Sequence, residues 1–111
     1  MVEELIKKIF DSRNAAHIAH WKTNSYSKHM ALGDFYDNII DLLDKYVEAH
    51  QGTFGLIDEE AEDISKIIHD DIIWLNENRD EIAKGIPALE NILDEITGEH
   101  MKTLYKLENL R

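Results

Sequence analysis

Residues 27–52 read Ser27-Lys-His-Met-Ala-Leu-Gly-Asp-Phe-Tyr-Asp-Asn-Ile-Ile-Asp-Leu-Leu-Asp-Lys-Tyr-Val-Glu-Ala-His-Gln-Gly52, and this stretch decides the fold. Leu32, Phe35, Tyr36, Ile39, Leu43, Tyr46 and Val47 recur at three- and four-residue spacing. Asp34, Asp37, Asp41, Asp44 and Glu48 occupy the opposite phase. An apolar stripe and an acidic stripe with a 3.6-residue period define an amphipathic helix. Ser27 is placed to cap its start.

The same period extends in both directions. Upstream, Val2, Leu5, Ile6, Ile9, Phe10 and Ala16 recur with helical spacing. Downstream, a third helix is expected from Asp58, a capping residue with acids in the first turn, through Ile64, Ile67, Ile68, Ile72 and Leu75. A fourth opens at Pro87, suited to a first helical turn, and keeps a near-heptad seam of Leu89, Leu93, Ile96, His100, Thr103, Leu107 and Leu110. Breaks fall at Thr23–Ser27, Gln51–Ile57 and Lys84–Pro87, and nothing alternates with period two. Four helices with short connections predict one all-α domain over residues 1–111, an antiparallel four-helix bundle.

Composition narrows the function. Twelve Lys and Arg against 23 Asp and Glu leave a net charge of −11, a poor match for nucleic-acid phosphates. No apolar run reaches membrane-span length, and Met1-Val2-Glu3-Glu4 carries no signal-peptide pattern, so a cytoplasmic location is expected. The absence of Cys removes disulfides, thiolate metal sites and Cys nucleophiles. Six His in an acid-rich chain are instead a ligand set for iron, manganese or zinc.

His20, beside Trp21, and His29 flank the break between the first two helices, while Asp44 and Glu48 stand one helical turn apart and are able to grip one cation together. His29 and Asp44 stand 15 residues apart on one helix, roughly 22 Å at 1.5 Å per residue. Metal–ligand bonds are only about 2.0–2.2 Å, so one chain cannot bring both to the same ion. Two chains packed antiparallel about a two-fold axis can, with two equivalent shared sites per dimer. His17, His50 and His69 are expected to pack or face solvent, and His100 to be a hydrogen-bonded core residue.

The stretch His20-Trp21 … His29 … Asp44-Lys-Tyr-Val-Glu48, within Ala16–Gly52, resembles the ferroxidase signature of the Dps mini-ferritins. The resemblance implies a ferritin-like bundle whose intersubunit site binds Fe(II) through His20, His29, Asp44 and Glu48 as a mono- or di-iron centre and oxidises it with peroxide or dioxygen. It further implies iron storage in a homodimer or larger cage, and a role for Trp21 in electron transfer. Where some members carry an Asp one turn after the second His, this chain has Gly33, and Lys7 and Lys8 lie inside helix one rather than in a basic tail. DNA protection is therefore not implied. At micromolar protein and about 150 mM salt, a duplex gel shift is expected to show no retarded band, because both partners are anionic.

Overall fold

The computed structural model describes residues 1–110. Among them every regular element is helical: α1 (Val2–Lys22), α2 (Tyr26–Phe54), α3 (Ile64–Ala83) and α4 (Pro87–Asn109). None of the four is long and apolar enough to cross a membrane. The chain divides into two compact units, Met1–Glu60 and Ala61–Arg111. Each is a helical hairpin, α1 on α2 and α3 on α4.

Helix ends differ from the expected ones where side-chain chemistry chose another residue. Ser25, not Ser27, caps α2: its hydroxyl accepts the Lys28 N–H at 3.3 Å. Gly52 does not stop α2, which runs on to Phe54 and ends at Gly55, whose φ of 92° suits a residue without Cβ. The start of α3 shifts from Asp58 to an Asp63 cap, whose carboxylate takes the Lys66 N–H at 3.2 Å. Asp58, Glu59, Glu60 and Glu62 crowd like charge into the turn expected to begin this helix. Lys66 instead pairs one turn on with Asp70 at 2.7 Å. Pro87 opens α4 as expected, after Lys84 and Gly85 turn the chain with positive φ.

Each hairpin buries little. In the first, Ala16 and Leu43 are buried; in the second, Leu75, Ala83 and Leu93 form a small cluster. Ala83, 1% exposed, sits where the helices come closest to the tight turn. On the flank of this core Arg79 grips Asp94 with two hydrogen bonds (2.7 and 2.9 Å) and Glu90 with a third (3.0 Å). Paired carboxylates hold its guanidinium above the ordinary arginine range, the Asp94 hydrogen bonds first. His100 donates Nδ1–H to the Ile96 carbonyl (2.9 Å) and turns Nε2 toward Asp71 of α3 (3.6 Å). It is hydrogen-bonded as expected, but at a half-exposed position rather than in the core.

The expected α4 seam splits in two. Glu90, Leu93, Thr97, His100 and Leu104 turn toward α3, whereas Leu89, Ile92, Ile96 and Leu107 are exposed. At 100° per residue the second set lies within an arc of roughly 60°. Ile64, Ile67, Trp74 and Ile82 form a comparable exposed stripe on α3, and Phe35, Leu42 and Tyr46 one on α2.

Candidate functional site

The turn between α1 and α2 is three residues long, Thr23 to Ser25, and it is closed by side chains. The Thr23 hydroxyl accepts the Ser25 N–H at 3.2 Å. Behind it, His20 and His29 hold each other in a reciprocal clasp. The Nδ1 of His20 lies 2.7 Å from the His29 carbonyl oxygen, and the Nδ1 of His29 lies 2.9 Å from the His20 carbonyl oxygen. Carbonyl oxygens only accept, so both Nδ1 atoms carry the proton and donate. The His20 carbonyl is among those at the end of α1 that lack an intrahelical partner, so the His29 ring caps that helix from across the turn.

The two rings stack, with centroids 3.6 Å apart and planes inclined by 21°. Gly33, one turn after His29, makes room for this. A Cβ there would stand 3.2 Å from Cε1 and 3.3 Å from Nδ1 of His20. The sequence signal for this packing is a glycine inside an otherwise strong helix; the position read as a missing acid is the floor under an imidazole.

His17 continues the cluster one turn back. It stacks on Tyr36 (3.9 Å, 13°) and touches the Trp21 ring (4.3 Å), while the Arg13 guanidinium stands 5.3 Å from the Tyr36 centroid. Desolvation, then the charge of Arg13, holds His17 below the ordinary histidine value and favours its neutral form. Trp21 itself is 69% exposed. Nothing in the sequence marks Arg13 or Tyr36 as site residues; only packing of the two helices reveals their place beside His17.

The candidate carboxylates lie elsewhere. Helix α2 is unbroken from Tyr26 to Phe54, so Asp44 and Glu48 stand along it, away from the clasp. Both are exposed, as are Asp34, Asp37 and Asp41 on the same acidic stripe. Of the four proposed ligands the structure therefore brings together His20 and His29 only. Among the described residues no three His, Asp or Glu side chains converge as a metal cage. The clasped pair cannot chelate one ion between them. A metal lies in the plane of each imidazole, about 2.0–2.1 Å from the nitrogen, and near-parallel planes offer two separate positions. Of the remaining histidines, His69 faces solvent near Asp70. His50 packs beside Phe54 (5.0 Å) with a buried Nδ1 that has no partner.

The model of a family of unknown function, DUF5856, matches residues 20–107. The chain is also 32% identical over 96 residues to a protein of Enterobacteria phage T4 described as an uncharacterized 14.6 kDa protein in the mobD-ri intergenic region. That alignment covers 82% of this chain and 75% of the phage protein. No solved structure matches. These matches correct the resemblance to the Dps mini-ferritins: they assign DUF5856, and neither points to a ferritin-like family. The physical reason is the small number of positions involved. A His-Trp pair, a second His and an Asp/Glu pair are polar points on an amphipathic helical hairpin, and here two of them already serve to close its turn.

The clasp yields a prediction about Gly33. Gly→Ala inside a helix ordinarily stabilises by about 0.5–1 kcal/mol. Chemical denaturation of Gly33→Ala should show no such gain, because the new methyl displaces a ring held by a short hydrogen bond and a stack. In a His20→Ala background the same change should recover the full gain. Equal stabilisation in both backgrounds would mean that the ring does not rest on Gly33.

Proposed function

The chain belongs to the DUF5856 family, and from that premise we propose that it is a non-catalytic helical assembly protein of the cytoplasm, working as a homodimer at minimum. The observation that carries this reading is the pair of apolar stripes that the α3–α4 contact leaves exposed: Leu89, Ile92, Ile96 and Leu107 on α4, and Ile64, Ile67, Trp74 and Ile82 on α3. Side chains this large rarely remain in water as one continuous strip, since burying each is worth about 1.5–3 kcal/mol. The matching strip on the first hairpin is Phe35, Leu42 and Tyr46 of α2, beside Leu5 and Ile9 of α1. Stripes one helical face wide, next to the hairpin contact, are what a hairpin buries when it packs on a hairpin of another copy to make an antiparallel four-helix core. The acidic face of α2 is centred about 140° from its apolar strip and stays outside such a core.

Ile96→Lys tests this against Glu95→Lys, its neighbour off the stripe. Burying an unpaired charge costs several kcal/mol, and 1 kcal/mol is worth about 4–8 °C in a domain this small. The stripe variant should lose more than about 10 °C in melting temperature and the off-stripe variant almost nothing. Similar small shifts in both would leave the stripe in water and remove the basis of the reading.

A second reading is favoured by a separate observation. With both Nδ1–H groups donated to carbonyls, the Nε2 lone pairs of His20 and His29 are free, the arrangement in which a histidine ligates metal through one nitrogen and is oriented through the other. On this reading iron, or zinc or manganese, binds between copies. Each imidazole offers one donor, and Asp44 and Glu48 of a neighbouring copy supply the oxygen ligands. Oxidation of bound Fe(II) by peroxide or dioxygen is the reaction that such a site supports. Mixing a His20→Ala/His29→Ala variant with an Asp44→Ala/Glu48→Ala variant should regenerate one site per heterodimer and about half of wild-type Fe(II) binding. Asp37→Ala, on the same acidic stripe, should bind normally. Heterodimers that form but bind no iron, or an Asp37→Ala variant as damaged as Asp44→Ala, would sink this reading.

A further inference from the structure

At the opposite end of the first hairpin from the histidines, the loop after α2 folds back onto the first turn of α1. The Asp58 N–H donates to a Glu3 carboxylate oxygen at 3.3 Å, and the Ile57 N–H to the Gln51 side-chain carbonyl at 3.2 Å. Backbone hydrogen bonds, Glu3's own N–H first and then that of Asp58, hold the Glu3 carboxyl below the usual carboxylate range. Glu3 is therefore an anion tied in place. Between this loop and α1 runs an open groove.

Its floor is apolar: Ile6, and Phe10 with half its surface exposed. Its rim is anionic: Glu3, Glu4 and Asp11 from α1, and Glu59 from the loop. The two cations beside it are already paired, Lys7 with Asp11 at 3.0 Å and the Met1 ammonium with Glu3 at 3.5 Å, so the rim keeps a net negative charge. The partial positive charge of the α1 N-terminus is about half a unit, far less than the rim carries. Phe10 lies on the flank of α1 away from Leu5 and Ile9, so a bundle core formed on that other flank leaves the groove open.

We infer that this groove is a docking site for a basic peptide segment, one bulky apolar side chain seated on Ile6 and Phe10 and flanking Lys or Arg paired with the rim. Charge complementarity selects the occupant. An anionic rim around an aromatic floor repels nucleic acid and acidic peptides. It also repels the acidic α2 stripe of a second copy of this chain. A cationic segment with an aromatic or aliphatic anchor satisfies both features at once, the anchor supplying affinity and the charges steering and register.

The probe is a fluorescein-labelled decapeptide with Leu-Phe at its centre and Lys and Arg at both ends, titrated with the full chain and followed by anisotropy. The control peptide keeps every charge but replaces Leu-Phe by Ser-Ser. The probe should bind, and the control should bind about tenfold more weakly. Phe10→Ser, and separately Glu4→Lys/Glu59→Lys, should each weaken the probe about tenfold while circular dichroism keeps its helical signature. Rising salt should weaken it further. No binding of the probe overturns the inference, and so does equal binding of probe and control, which marks a general polyanion. An unchanged affinity for Phe10→Ser overturns it as well. A shift in sedimentation of Phe10→Ser alone would show instead that the groove seats another copy. None of these readouts depends on the Ile96 stripe.

Discussion

Two antiparallel helices meet along a single line, and only the side chains on that line leave water. This constraint governs both hairpins: Ala16 and Leu43 in the first and Leu75, Ala83 and Leu93 in the second are the residues that become buried. A unit of 50 to 60 residues buries a small share of its surface even when compact. Everything else apolar is left along the flanks, where it forms stripes rather than scattered points. The stripes are the reason for reading the chain as an assembling protein.

The same constraint raises the importance of the turns. With little core to hold the helices together, polar groups near the connections do more of the alignment. In the second hairpin Arg79 spans the helices with a two-pronged contact to Asp94 and a further bond to Glu90, and His100 leans on Asp71. In the first the corresponding device is the His20–His29 clasp. Its chemistry has two faces: each ring is committed through Nδ1 to the backbone, and each is thereby oriented with Nε2 unencumbered. A structural histidine and a potential ligand are the same residue here, and occupancy by a metal is what separates the roles.

Charge is distributed as unevenly as apolar surface. The acidic stripe of α2 is exposed from Asp34 to Glu48, so these carboxylates repel one another largely through water. The groove beside Glu3 differs because its carboxylates surround an apolar floor and one of them is fixed by a backbone hydrogen bond. The same residue type is thus diffuse on α2 and localised on α1.

The number, type and approximate extent of the helices were legible in the sequence because they follow from periodicity and local breakers: Leu43 and Leu93 fall on the expected faces, and Pro87 opens α4. The caps were less legible, since Ser25 and Ser27, or Asp58 and Asp63, are equivalent candidates until a hydrogen bond selects one. The family was misread because a few polar positions on a hairpin carry little information, whereas DUF5856 is matched across residues 20–107. The pairing of His20 with His29 was beyond local reading, as was the role of Gly33. Both depend on ring planes and a 3.2 Å approach between two helices, and such distances arise only when the helices pack. Sequence by itself determined which residues are helical and which faces are apolar, because those follow from periodicity along one chain segment. Tertiary structure alone decided which apolar positions meet the other helix of their hairpin, because burial depends on contact between segments.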